Sequence, residues 1–178
     1  GKAVAEVLFG DYNPAGKLPV TFYRNVSQLP DFEDYNMTGR TYRYMQDVPL
    51  IPFGYGLSYT TFGYGKTVLD KNELTAGQSL KLTVPVTNTG KRNGEEVVQV
   101  YLRKQGDAEG PIKTLRAFKR VSIPAGKTVN VEFDLKDKEL EWWDAQSNTV
   151  RVCPGNYDIM VGGSSKEEDL QRTTIAIK

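Results

Sequence analysis

The chain has 178 residues, 39% of them hydrophobic and 25% charged, enough for one packed core with some chain left over. Its 23 basic and 22 acidic residues balance and form no cationic stripe, which argues against nucleic acid as a partner. There is no histidine, only one cysteine, and no apolar run near the roughly 18 residues that cross a bilayer, so Ser-His-Asp and Cys-His catalysis, a histidine zinc site, an internal disulfide and a membrane-spanning helix are all excluded.

In chain order, Ala3, Val4, Val7 and Leu8 fall on one helical face, so Lys2–Phe9 is predicted to be a helix that Gly10 and Asp11 stop. The chain opens on this pattern without a Met or a secretory signal, as expected of a piece of something larger. Asn13–Pro19 (NPAGKLP) is turn chemistry, and Leu18–Phe22 is expected to form a short strand. Tyr23–Pro52 shows no sustained period; its many aromatics predict a long, packed, irregular segment. Phe53–Phe62 (FGYGLSYTTF) is expected to act as a seam, with Gly54 and Gly56 allowing close approach and Phe53, Tyr55, Leu57, Tyr59 and Phe62 buried.

After Phe62 the period changes to two, and turn clusters such as TNTGKRNG and PAGK separate the runs. Strands are predicted at Lys66–Leu69, Leu80–Asn88, Val97–Arg103, Leu115–Val121, Thr128–Leu135, Asn156–Val161 and Thr173–Ile177, about the number that an immunoglobulin-like or fibronectin type III-like sandwich requires. Cys153 reads as a buried small hydrophobe in a strand. The Trp142–Trp143 pair reads as core, or, if exposed together, as a platform for a sugar ring or a partner.

Candidate catalytic carboxylates are poor. Asp31, Glu33 and Asp34 lie in a polar stretch, Glu95 and Glu96 point to opposite faces of one strand, and Asp137, Glu139 and Glu141 surround a turn, so all are expected on solvated surface. Glu167–Asp169 lacks the flanking ligands of a calcium loop and reads as a charged hairpin. No metal or cofactor is expected. In Thr38–Tyr44 (TGRTYRY), arginine donors alternate with flat tyrosine rings, so Arg40, Tyr42 and Arg43 are the candidate substrate-binding residues.

Four segments carry a resemblance. Glu6–Phe22 (EVLFGDYNPAGKLPVTF), Phe53–Phe62, Val86–Leu102 (VTNTGKRNGEEVVQVYL) and Pro154–Ser164 (PGNYDIMVGGS) resemble, in order and spacing, the C-terminal part of glycoside hydrolase family 3. Thr38–Tyr44 and Leu140–Asp144 (LEWWD) look more like its β-xylosidase branch. The resemblance implies a mainly β fold: residues 1–62 as the C-terminal remnant of an α/β sandwich domain, and 63–178 as a fibronectin type III-like domain. It implies a parent enzyme, a retaining exo-acting hydrolase that removes β-linked xylose or glucose from oligosaccharides or glycosides. The nucleophile, on an N-terminal barrel, and the acid/base would both lie before Gly1, so no catalytic residue is carried over. A periplasmic or secreted location is expected from the family. The alternative is a stand-alone fibronectin-like module that binds carbohydrate or protein.

Overall fold

Alternating apolar residues decide the main layers. The computed structural model describes residues 1–178. Helix α1 (Lys2–Phe9) ends where Gly10 turns left-handed at φ 80°, and its residues are not buried. A single helical turn, α2 (Thr41–Tyr44), interrupts the irregular segment. Then come strands β1 (Phe62–Tyr64), β2 (Val68–Leu69), β3 (Glu73–Leu74), β4 (Leu80–Asn88), β5 (Gly94–Lys104), β6 (Thr114–Ile123) and β7 (Thr128–Leu135). The short helix α3 (Asp137–Leu140) follows, then β8 (Trp142–Asp144), β9 (Thr149–Arg151), β10 (Gly155–Gly162) and β11 (Gln171–Ile177).

Strand β4 is the axis of the first sheet. It pairs antiparallel with β7 from Leu80↔Leu135 to Thr87↔Thr128, and its other edge takes β1 and β2. The second sheet runs β3-β11-β10-β5-β6, antiparallel except for the parallel contact of β3 with β11. Residues Leu80, Leu82, Val84 and Val86 meet Val98, Val100, Leu102, Ile159 and Val161 in one core, giving the two-sheet sandwich that the alternation predicts. Each such side chain contributes about 1.5–3 kcal/mol by leaving water.

The second sheet is also covered on its outer face, which explains the nearly unbroken burial from Val98 to Leu102. The pleat of β5 sends Val98, Val100 and Leu102 into the core and turns Tyr101 outward, where the ring of Tyr42 meets it edge-on at 5.9 Å. Tyr42 itself stacks on Phe53 at 4.2 Å. Backbone bonds fasten the cover, from Ile112 N to Arg43 O (2.7 Å) and from Ser165 N to Phe53 O (2.9 Å). The Tyr42 hydroxyl accepts from Leu115 N at 3.1 Å.

Several expectations need correction. Leu18–Phe22 is not a strand: Pro19 cannot donate to a ladder, and only Phe22 makes a bridge, to Ile51. Leu57 is 71% exposed and Tyr55 and Tyr59 are also exposed, so Phe53 and Phe62 carry the seam. Phe32 and Tyr35 stand 94% and 90% exposed rather than packed. Cys153 is buried but lies in the connection between β9 and β10, its thiol donating to Arg151 O. Glu167–Asp169 forms a 3₁₀ turn, and Glu167 takes ion pairs from Lys113 and Arg172.

Candidate functional site

The turn α2 sits beside the β5–β6 loop and β8, and together they enclose a cleft of about 340 Å³. Thr41 begins the turn at φ 55°, a conformation that costs a β-branched residue on the order of 1–3 kcal/mol and marks this turn as one held by its surroundings. The three candidate substrate-binding residues take different positions. Arg40 donates from Nε to Asn36 O at 2.9 Å and from Nη2 to Asp34 O, bracing its own loop. Tyr42 is packed between Phe53 and Tyr101. Arg43 lines the cleft; its Nε is buried without a partner, and its guanidinium carbon lies 5.8 Å from the Tyr44 ring centre.

Sequence reasoning missed Arg116, on β6, which enters the same cleft. Its Nη2 donates to Glu141 O at 2.6 Å, its guanidinium lies 5.5 Å from the Trp142 ring centre, and its Nε is also buried without a partner. Burial, and then the Arg43 charge beside it, lower the pKa of Arg116 from its ordinary value. Asp107 shapes the opposite wall by accepting from Trp142 Nε1 at 2.6 Å and from Gly110 N at 2.9 Å. The only hint of Arg116 in the sequence was its place at the start of a strand flanked by turn residues.

The paired tryptophans separate as neighbours on a strand must. Trp142 is 2% exposed and belongs to the core, whereas Trp143 is 53% exposed at the cleft, so a two-indole platform does not form. The β8–β9 hairpin that carries them is closed by Asp144, whose Oδ2 accepts from Ser147 Oγ and Arg151 Nε, both at 2.7 Å. The Ser147 hydrogen bond and then Arg151 pull the Asp144 pKa down to about 2. A carboxylate depressed on folding stabilises above its unfolded value and loses that contribution as pH falls through its folded one. The hairpin is therefore expected to hold until pH approaches 2, with a ¹³C carboxyl titration giving a midpoint there; a midpoint at the ordinary 3.8 would show that these bonds do not persist in solution.

A second hollow, about 590 Å³, lies where the N-terminal segment meets the sandwich. Here the expectation of solvated carboxylates fails for Glu96. It is 6% exposed, and Lys17 Nζ reaches its Oε1 at 2.9 Å. Its neighbour Glu95 does face outward, paired with Arg120. The other buried carboxylate, Asp158, accepts from Gln105 Nε2 at 2.7 Å and Thr174 Oγ1 at 3.0 Å. The ladder of β10 with β5 places it opposite Arg103, far along β5 from Glu96. Burial, and then Glu96, push the Tyr64 hydroxyl's pKa upward.

Residues 1–59 match the glycosyl hydrolase family 3 C-terminal domain, and residues 96–165 match the fibronectin type III-like domain. The chain is 54% identical over 177 residues to a xylan 1,4-beta-xylosidase of Xylanibacter ruminicola, covering 99% of this chain and 20% of that protein. It is 38% identical to a periplasmic beta-glucosidase of Salmonella typhimurium, covering 93% of this chain and 23% of the relative. Among solved structures, a beta-glucosidase from Erythrobacter marinus superposes with a TM-score of 0.83 at 41% identity, over 99% of this chain and 23% of that one. A Listeria innocua beta-glucosidase in complex with glucose superposes with a TM-score of 0.81 at 30% identity, over 99% of this chain and 26% of that one. The chain thus spans about a fifth to a quarter of the length of these relatives.

Proposed function

We infer that this chain, which belongs to glycoside hydrolase family 3 by its C-terminal and fibronectin type III-like domains, is the non-catalytic C-terminal part of a retaining exo-acting enzyme that removes β-linked xylose or glucose. The observation that carries the reading is 54% identity to a xylan 1,4-beta-xylosidase sustained over 99% of the chain. The buried carboxylates support it. Retaining hydrolysis needs two carboxyl groups about 5–5.5 Å apart, whereas Glu96 is committed to Lys17 and Asp158 to Gln105 and Thr174.

The division falls at residue 62, between an α/β sandwich remnant and the fibronectin-like domain. Val4, Leu8 and Phe9 on α1 are exposed, and so are Phe32 and Tyr35; the rest of the α/β sandwich and the barrel are the partners that would cover them. Of the substrate-binding candidates, Arg43 faces the ligand, while Arg40 and Tyr42 position the turn. The enzyme is periplasmic or secreted, in keeping with the name of the Salmonella relative.

An immunoblot of the source cells with an antibody against this chain tests the reading. The expected band is about four to five times the chain's 19.9 kDa, in proportion to its 20–25% share of the relatives, and the captured protein should hydrolyse an aryl β-xyloside or β-glucoside. A band near the chain's own mass would favour the stand-alone module and overturn the proposal.

A further inference from the structure

The cleft beside α2 holds two guanidinium groups that no carboxylate of the chain pairs with. Neither Arg43 nor Arg116 takes part in any of the chain's ion pairs, and both have a buried Nε with no hydrogen-bond partner. Two guanidinium groups brought together in a partly dry cleft repel each other. The carboxylates that share the cleft do not relieve them: Asp107 is turned to the Trp142 indole and the Gly110 amide, and Glu109 stands exposed at the rim. The hollow at the Lys17–Glu96 junction is different, because its half-buried cation and buried anion already neutralise each other.

A planar carboxylate is the group that fits two adjacent guanidinium forks, since each oxygen accepts charge-assisted bonds in the plane of the donors. Next to them stands Trp143, half-exposed, with a flat apolar face suited to one side of a pyranose ring. We propose that this cleft binds a uronic acid residue of an oligosaccharide, its carboxylate held by Arg43 and Arg116 and its ring laid against Trp143. The sugar half of this assignment rests on the glycosidase reading above; the carboxylate half rests on the two unpaired arginines. It gives the chain a site that recognises acidic substituents on a saccharide.

The chain's two tryptophans both line the cleft, so their fluorescence reports on it directly. Methyl β-D-glucuronide should quench the 178-residue chain saturably and bind at least about tenfold tighter than methyl β-D-glucoside or acetate, with affinity falling as salt rises. The substitution Arg43→Met should remove the preference, and Arg43→Lys, which keeps the charge but loses the fork, should weaken it about fivefold or more. Equal binding of glucuronide and glucoside would overturn the carboxylate assignment. Acetate binding as tightly as glucuronide would overturn the ring contact, and quenching by none of the three would overturn the site. The wild-type comparison needs no variant to fold. Hydrolysis of neutral aryl glycosides by the full-length enzyme decides the glycosidase reading independently of all these outcomes.

Discussion

Replacing Gly54 with alanine should lower the stability of the chain by about 2–4 kcal/mol, a large share of a domain's total. Gly54 has φ 77°, where an L side chain costs about 1–2 kcal/mol. A Cβ there would also sit 2.1 Å from Gln99 Oε1, well inside contact distance. Gln99 cannot swing away cheaply. It is 3% exposed, its Nε2 donates to Gly163 O at 2.6 Å and to Gly54 O at 3.1 Å, and its Oε1 accepts from the Tyr101 hydroxyl at 2.5 Å. The methyl group would break this cluster or force the 53–54 segment off the sheet. Urea unfolding monitored by circular dichroism checks it; a loss below about 1 kcal/mol would mean the seam yields without cost.

Lys17→Met should cost about 2–4 kcal/mol, for a different reason. The side chains of Lys17 and Glu96 are 18% and 8% exposed, and removing the lysine leaves a carboxylate in a poorly solvated place. Most of the penalty belongs to the orphaned charge rather than to the lost attraction. The double variant Lys17→Met/Glu96→Leu should therefore recover most of the stability, since apolar pairs of similar volume replace buried ion pairs at little cost. A double-mutant cycle reads this directly. If the double variant were as unstable as the sum of the singles, the pair would contribute through its shape and not its charge.

The large strands were legible because their burial alternates over many residues. Leu80–Asn88 and Thr128–Leu135 were predicted to the residue, each bounded by turn chemistry. The strands that were missed, Phe62–Tyr64, Glu73–Leu74, Trp142–Asp144 and Thr149–Arg151, are two or three residues long, too short to show a period. Of the predicted Lys66–Leu69 strand only Val68–Leu69 forms, as the second half of an edge interrupted after Tyr64, where Gly65 N donates to Pro85 O. At the candidate site, local sequence identified the turn that carries Arg43 but not the environment of its neighbours. Tyr42 looks available in isolation; Phe53 and Tyr101 enclose it only once the chain has folded back. Glu96 likewise reads as surface, because its lysine comes from the other end of the fold. Such pairings are tertiary events that no window of sequence displays.

The outer cover of the five-stranded sheet bears on how this sandwich can be exchanged between relatives. A fibronectin-like cassette cut at residue 62 and spliced onto another relative would arrive with Tyr101 and Gln99 bare, and would depend on the host's own turn to fit them. A cassette that begins ahead of Thr41 brings Tyr42, Phe53 and Gly54 with it, and with them the guanidinium of Arg43. Recombination that preserves the packing should therefore have its crossovers upstream of this turn, so that the inherited unit includes a strap from the preceding segment as well as the sandwich itself.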